Sequence, residues 1–506
     1  MTNQLSFEQL SAQAASLKIR NQAFINGAYV DAASGKTFDC ISPRDGKVLT
    51  KVAECDVEDV NRAVASARAV FEKGSWSEAA PAKRKAILLH FADLLEKNAA
   101  ELALLESLDM GKPIKLAARD DIPLSYKCIR WYAEAIDKIY DEVSPSETNA
   151  IGMITREPLG VIAAVVPWNF PLMMAVWKLG PALAMGNSII LKPAEQSSLT
   201  AIRVAEIAIE AGLPEGVLNV VPGFGPTAGK ALGLHPDVDC VTFTGSGEVG
   251  KLFLQYSGLS NMKRVWLECG GKSPNIVLAD CPDLDAAAES AAGGIFYNQG
   301  EVCTAGSRLI IEESIKDEFI EKVVAAGAKM QPGDPLDPKS EMGAIVDEGQ
   351  MSRVLGYIEK GSAEGATLCT GGKRARTESG GYYVEPTVFD GVKNDMTIAR
   401  EEIFGPVLSV ISVKDWKEAV QTANDTPYGL AAAVWTRDIN KAHLAAKNCA
   451  PVLSGSIAGM VDQSPCRLVV TSNRVPVATG RCMHWTNIVK SSRPGLRWAT
   501  PERRMG

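Results

Sequence analysis

Short apolar runs broken by Asn-Gly, Ser-Gly and Asp-Gly fill the stretch from about Phe24 to Val52, as in F-I-N-G-A-Y-V and T-F-D-C-I-S-P-R-D-G-K-V-L. Such dipeptides suit tight turns, so they predict β-hairpins. From Val57 to Leu108 the apolar period lengthens to about 3.6 residues. D-V-E-D-V-N-R-A-V-A-S-A-R-A-V-F and A-A-P-A-K-R-K-A-I-L-L-H-F-A-D-L-L-E-K predict two amphipathic helices. The second opens near a proline, where a missing N–H is tolerated. After Ile154 the pattern alternates. L-G-V-I-A-A-V-V-P, S-I-I-L-K-P, V-L-N-V-V-P-G and D-C-V-T-F-T-G-S are apolar runs of strand length. T-A-I-R-V-A-E-I-A-I-E-A-G-L-P among them is a helix stopped by Gly and Pro. This alternation predicts parallel strands joined by crossover helices.

After Glu268 a second series of the same kind begins: P-N-I-V-L-A, a helix over 283–300, S-R-L-I-I-E, a helix over 314–329, then G-A-T-L-C-T and Y-V-E-P-T-V-F. The fold class is therefore α/β, with two parallel-sheet α/β domains. A chain of 506 residues is too long for one simple core. There is no internal repeat and no low-complexity segment.

Composition mainly excludes. Hydrophobic content of 46% and charged content of 22% are ordinary for a soluble protein. A net charge of -7, with no Lys/Arg stripe before residue 450, argues against nucleic acid as a partner. No apolar run reaches membrane-spanning length, and M-T-N-Q-L-S-F-E-Q-L lacks the basic and apolar parts of a signal peptide. A cytoplasmic location without a membrane partner is expected. Eleven cysteines without C-x-x-C pairs read as reduced thiols, mostly in cores. His90, His235, His443 and His484 stand apart from one another, so no metal site and no Cys-His protease is expected.

The chemistry concentrates in two segments. F-Y-N-Q-G-E-V-C-T-A-G-S-R, Phe296 to Arg308, sets Cys303 in a polar stretch bounded by glycines. Upstream, W-L-E-C-G-G-K-S-P-N sets Glu268 just ahead of a Gly pair. A thiol that can ionise and a carboxylate that can take protons are the minimum kit for covalent acyl chemistry. Taken singly, a cysteine is usually packing and such a glutamate is often a helix cap. Gly245-Ser246-Gly247-Glu248-Val249-Gly250 matches G-x-G-x-x-G between a predicted strand and a predicted helix, the context of a phosphate-binding turn. The plainer alternative is a Gly-rich turn. That fingerprint expects an acid about 20 residues on. Glu268 fits the count, so the pattern alone leaves it either a ribose ligand or a base. L-K-P-A-E puts Lys192 and Glu195 just past a strand end. A carboxylate there can accept both adenosine ribose hydroxyls and repels a 2′-phosphate, which favours NAD over NADP; the alternative is a solvated pair.

V-P-W-N-F-P (166–171), L-K-P-A-E (191–195), W-L-E-C-G-G-K-S-P-N (266–275), N-Q-G-E-V-C-T-A-G-S-R (298–308) and E-E-I-F-G-P (401–406) together resemble the aldehyde dehydrogenase superfamily over roughly residues 20 to 449. The nearest likeness is to the bacterial γ-glutamyl-γ-aminobutyraldehyde dehydrogenases of putrescine breakdown. The resemblance implies a dinucleotide-binding domain over 1–267, with an oligomerisation hairpin near 140–156 inserted, and a catalytic domain over 268–449. It implies Cys303 as nucleophile, Glu268 as general base and Asn169 as oxyanion donor. Trp168, Lys192, Glu195, Gly245 and Ser246 are expected along the adenosine and pyrophosphate of NAD. Glu402, with Phe404 beside it, is expected at the nicotinamide ribose. Phe170, Met174, Trp177 and Phe296 are expected to line the substrate funnel. Asp120 and Asp121 are expected near its mouth, where a carboxylate can hold the ammonium of an aminoaldehyde; a helix-terminal charge pair is the other reading. Cys269 departs from the aliphatic or small residue common there. The expected reaction is NAD-dependent oxidation of an aldehyde to the acid. A CoA-acylating variant is the alternative within enzymes, against which Glu268 argues. A homo-tetramer or dimer is implied.

After Cys449 the text loses any period of 2 or 3.6, acids nearly vanish, and Arg, Ser and Pro are abundant. The family's glycine-rich segment and terminal intersubunit strand are absent. For residues 450–498, codons can be chosen so that the neighbouring frame encodes a sequence very close to the family's ending. One missing nucleotide near codon 450 explains this. Residues 450–506 are then expected to be an aberrant, disordered tail, with strands lost, a bare sheet edge, impaired oligomerisation and little activity. A non-catalytic remnant that binds nucleotide is the corresponding alternative function.

Overall fold

The computed structural model describes residues 5–449, together with the backbone of strands 467–471, 489–492 and 495–497. Helix α1 (Phe7–Ser16) is capped by Ser6 and Gln9 in a reciprocal capping box. The first hairpin, β1 (Ala23–Ile25) and β2 (Ala28–Val30), turns on Asn26 and Gly27, both at positive φ. A second pairs β3 (Thr37–Ile41) with β4 (Val48–Ala53). Helices α2 (Val57–Glu72) and α3 (Pro81–Lys97) follow the expected period, α3 with Pro81 in its first turn. Next come α4 (Ala99–Met110) and a helical run of α5 (Ile114–Leu116), a π-helical turn over Ala117–Asp121 and α6 (Ile122–Ala135). Strands β5 (Glu142–Ser144) and β6 (Ala150–Pro158) form an antiparallel pair beyond it.

The first sheet takes shape after β6. Strand β7 (Val161–Val165) leads to α7 (Pro171–Ala184), β8 (Ser188–Lys192) to α8 (Leu199–Glu210), and β9 (Leu218–Val220) to α9 (Lys230–Leu234). Strand β10 (Cys240–Thr244) leads to α10 (Gly247–Gly258), and β11 (Arg264–Glu268) closes the series. The order is β11-β10-β7-β8-β9-β1-β2, parallel from β11 to β9. Every residue of β7, β8 and β10 is buried, because helices cover both faces. The order reverses direction between β10 and β7, which opens a crevice beyond their carboxyl ends.

Residues 269–273 carry the chain into the second sheet. Strand β12 (Pro274–Val277) leads through α11 (Leu284–Phe296) to β13 (Arg308–Glu312) and α12 (Lys316–Ala328). Helix α13 (Glu348–Ala363), β14 (Thr367–Thr370), the short pair β15 (Arg374–Ala375) and β16 (Tyr383–Val384), β17 (Thr387–Asp390) and α14 (Thr397–Arg400) follow. Strand β18 (Val407–Val413), α15 (Trp416–Asn424), β19 (Ala431–Trp435) and α16 (Ile439–Asn448) complete the domain. The order is β14-β17-β18-β13-β12-β19, with β20 (Arg467–Thr471) antiparallel on β19. Strands β21 (Val489–Ser492) and β22 (Gly495–Arg497) pair antiparallel with β6.

Two expectations change here. The helix read over 283–300 ends at Phe296, because Asn298, Gln299 and Gly300 all take positive φ (50°, 57° and 73°) and turn the chain out of the helix. The tail expected to be without structure supplies three strands among the described residues. Sheet pairing is carried by main-chain hydrogen bonds, so the edges of β19 and β6 accept extended backbone whatever its side chains.

Candidate functional site

Strands β12, β13 and β18 are parallel neighbours, with Pro274 opposite Arg308 and Arg308 opposite Ser409. Their lead-in segments therefore stack, and those segments carry Gly270-Gly271, Cys303 and Glu402. Glycine is required where they touch. A Cβ on Gly271 would lie 2.6 Å from the Cys303 carbonyl oxygen, and one on Gly270 would overlap the Glu402 carboxylate. The Gly271 N–H donates to Glu402 Oε1 (3.0 Å). Gly300 packs its backbone against Gly405 in the same way.

The turn that delivers Cys303 holds two consecutive non-glycine residues in the left-handed region, at about 1–3 kcal/mol each. Side-chain hydrogen bonds offset that strain. Asn298 Nδ2 donates to the carbonyls of Asn169 (3.0 Å) and Glu301 (3.2 Å). Gln299 Nε2 donates to the Ala344 carbonyl (3.1 Å), and its Oε1 accepts the Gly343 N–H (2.9 Å). The buried Glu301 carboxylate accepts the Val346 N–H (3.0 Å). Asn169, just before α7, donates through Nδ2 to the Glu301 carbonyl (2.7 Å). Asn169 and the Cys303 turn are thus bonded in both directions, through the Asn169 main-chain carbonyl one way and its side-chain amide the other. An amide NH₂ has two donors, so one is engaged here and the group carries a second.

Glu268 ends β11, opposite Thr244, and its carbonyl accepts the Gly245 N–H (3.0 Å). Burial raises its carboxyl, and the Lys178 ammonium opposes that rise. Lys178 is itself buried and lowered by burial, with Glu268 opposing. Cys303 is pushed up to about 12, first by burial, then by the carboxylates of Glu402 and Glu268; the N–H groups of Cys303 and Thr304 act the other way. Glu402 is raised to about 7 by burial. A thiol held this high is protonated at neutral pH and needs a base. Alkylation of Cys303 by iodoacetamide, followed by peptide mass spectrometry, should climb from about pH 7 to about pH 10 without a plateau. Glu402→Gln removes a charge that disfavours the thiolate, so it should shift that profile to lower pH. An unshifted profile would separate the two groups.

Around the crevice of the first sheet, Lys192 and Glu195 pair at the exit of β8 (3.3 Å), the ammonium buried and the carboxylate about one-third exposed. Gly245 and Ser246 lead into α10, where Ser246 Oγ accepts the Val249 N–H (3.3 Å). Trp168, after β7, meets Phe404 edge to face at 5.1 Å. Phe404 is bulky yet lies at φ 58°, held because Gln350 Nε2 donates to its carbonyl (2.8 Å). Thr244 Oγ1, directly before Gly245, is buried without a hydrogen-bond partner. A carboxylate beside an ammonium, a helix N-terminus after a Gly-Ser turn and an orphaned hydroxyl together suit a dinucleotide's diol and phosphates.

Phe170 and Met174 are buried on α7 and its cap, and Trp177 is partly exposed. Phe296 is a correction. It is fully buried with Phe319 and Val323 of α12 and faces Gly327, because the last turn of α11 points it into the second core. Tyr297, one residue on, instead stacks against Phe170 at 6.4 Å. Asp121 is a second correction. It is fully buried in an ion pair with Lys112 and is closed to a ligand. Asp120 retains partial exposure, is gripped by Arg119 (2.7 Å) and accepts the Tyr297 hydroxyl (3.2 Å). Cys269 faces Gly250 of α10 and is raised to about 11 by burial. Sequence reasoning missed Tyr297, Lys178 and Lys112. Lys178 had a signal: it is the single charge in the apolar helix P-L-M-M-A-V-W-K-L-G-P-A-L-A. Among the described residues no three His, Cys, Asp or Glu side chains gather as metal ligands, and no helix is long and apolar enough to cross a membrane.

The profile of the Aldehyde dehydrogenase family matches residues 29–455, and the chain belongs to that family. It is 54% identical over 431 residues to the NADP/NAD-dependent aldehyde dehydrogenase PuuC of Escherichia coli, covering 85% of this chain and 86% of PuuC. Its fold is similar to the indole-3-acetaldehyde dehydrogenase AldA of P. syringae, solved with NAD+ and IAA, at a TM-score of 0.92 and 55% identity over 98% of this chain and all of that one. A gamma-glutamyl-gamma-aminobutyraldehyde dehydrogenase structure from Burkholderia cenocepacia gives a TM-score of 0.91 at 53% identity, over 97% and 100% of the two chains.

Proposed function

We propose that this chain oxidises an aldehyde, preferentially an aminoaldehyde, to its carboxylic acid with NAD, through a thiohemiacetal and a thioester on Cys303. The observation that carries this is the meeting of Cys303, Glu268 and the Asn169 amide beside the crevice at the carboxyl ends of β10 and β7. Lys192, Glu195, Gly245, Ser246, Glu402 and the Trp168–Phe404 pair would hold NAD, and the partly exposed Glu195 carboxylate disfavours a 2′-phosphate.

Glu268, directly or through water, takes the thiol proton, and Cys303 Sγ bonds to the aldehyde carbon. The Asn169 amide and a main-chain N–H hold the resulting oxyanion; one such donor typically contributes about 2.7–4 kcal/mol. NAD held there would supply the acceptor for the hydride that leaves the adduct on Cys303. Glu268 passes the thiol's proton to solvent, and then takes another from water as it attacks the thioester. The C–S bond breaks, the acid leaves and the thiol is restored.

NADH absorbance with a panel of aminoaldehydes and neutral aldehydes tests the reading; no reduction with any of them sinks it. Asp120 supports the amino preference, since its carboxylate stands by Tyr297 with partial solvent access. Asp120→Asn should raise KM for aminoaldehydes about fivefold, the worth of about 1 kcal/mol for a partly exposed charge pair. KM for neutral aldehydes should stay within twofold, roughly the scatter of surface substitutions. Equal changes in both would remove Asp120 from the substrate site.

One observation favours a second reading, a nucleotide-binding remnant. The family match stops at residue 455, close to where the text changes. We infer a single-nucleotide loss near codon 450. Sequencing the gene across that codon tests it, alongside the NADH assay on this chain and on a frame-restored version. A frame-restored protein no faster than the chain as given would end the remnant reading.

A further inference from the structure

Lys112 is fully buried, with Nζ bonded to Asp121, 3.6 Å from Glu106 Oε1 and 3.9 Å from the centroid of the Phe170 ring. The Glu106 carboxylate also accepts the N–H of Leu172, in the first turn of α7 (3.4 Å). Asp121 and Asp120 are adjacent, yet the π-helical turn over Ala117–Asp121 sends them opposite ways. Asp121 goes inward to Lys112, and Asp120 goes to the Tyr297 hydroxyl. Both paths end on the same stacked pair, since Phe170 and Tyr297 lie 6.4 Å apart with their planes 22° apart.

We propose that Lys112 is a positioning residue: with the 117–121 turn it clamps the Phe170–Tyr297 pair and so sets the width of the path to Cys303. This rests on the reading of Phe170 as a wall of the substrate site. Burying an ammonium with two carboxylates is a poor source of stability, because desolvation rivals the attraction. The group does what an apolar filler could not. A cation attracts the face of an aromatic ring and fixes its tilt, while the carboxylates fix the cation. π-Helical turns recur at functional sites, and here the turn lets neighbouring acids grip both rings.

Three variants test this. Lys112→Met/Asp121→Asn removes the closest ion pair together and leaves the buried Glu106 carboxyl, which burial raises, to hold its proton. Tyr297→Phe removes only the hydroxyl bond to Asp120, and Phe170→Leu removes the ring. Lys112→Met/Asp121→Asn should raise the aldehyde KM about tenfold, the effect expected of one desolvated cation–π contact. Its kcat and the KM for NAD should change less than threefold. Adding Phe170→Leu should produce little further change, since Lys112 acts through that ring. A purely structural role predicts additive effects and a fall in kcat with both KM values disturbed, which would overturn the proposal. Alkylation of Cys303 supplies a readout independent of turnover. The rate ratio of a bulky N-aryl maleimide to iodoacetamide should rise at least threefold in the pair variant and, more modestly, in Tyr297→Phe. Should the pair variant not fold, Tyr297→Phe and Phe170→Leu still decide, because unchanged ratios in both refute the clamp. A changed ratio in a protein that reduces no NAD would keep the clamp and discard the enzymatic reading.

Discussion

Cys303→Ser should abolish NADH formation, with a loss of about 10⁴-fold or more in kcat, as for other covalent nucleophiles. The cause is the sulfur itself. A serine hydroxyl in the same place meets the same burial and the same two carboxylates that push the thiol up to about 12, and it starts from far weaker acidity. The turn should survive, because its left-handed residues are held by the side chains of Asn298 and Gln299 and not by the cysteine. NAD affinity by calorimetry should therefore stay near that of the parent. Turnover above about a tenth of the parent rate would remove Cys303 from the chemistry, since an essential nucleophile leaves far less.

Glu268→Gln should lower steady-state turnover by about 10²–10⁴-fold, the usual worth of a general base. Its distinguishing mark is the stalled intermediate. With enough pH to ionise the thiol, about one NADH per active site should appear and then stop, and the Cys303 peptide should carry the acyl mass. The amide keeps the size of the side chain and cannot take a proton. Lys178 should matter less directly. Its ammonium opposes the upward push of burial on Glu268, so Lys178→Met should move the alkaline-rising limb of the pH–rate profile to higher pH. An unchanged steady rate in Glu268→Gln would exclude it as the base.

The alternation of apolar strands and helices was legible in the sequence because strands buried on both faces read as unbroken runs, as in β7, β8 and β10. The site segments were legible too, because glycines mark the close approaches at Gly270, Gly271 and Gly300. What periodicity hides is direction. The end of α11 decides whether Phe296 or Tyr297 faces Phe170, and that depends on the residue at which the helix gives way to a left-handed turn. The π-helical turn at 117–121 shifts the phase in the same way, so Asp120 and Asp121, indistinguishable as text, end on opposite sides. Buried ions such as Lys112, Glu106 and Lys178 look like ordinary surface charges until their partners arrive from distant segments. The strands of the tail were invisible because their pairing comes from the open edges of β19 and β6.

Helix α4 carries Glu106 and Asp109 one turn apart, and each takes the first-turn N–H of a different helix, Leu172 of α7 and Leu199 of α8 (3.0 Å). The spacing between those two helix ends, one behind Asn169 and the other behind Glu195, is therefore copied from the pitch of a third helix, like a gauge block set between two machine parts. Inserting a single residue between 106 and 109 would swing one carboxylate about 100° around that axis and put both ends out of register at once. Such a lesion, in a helix that carries neither Asn169 nor Glu195, would displace both of those segments together.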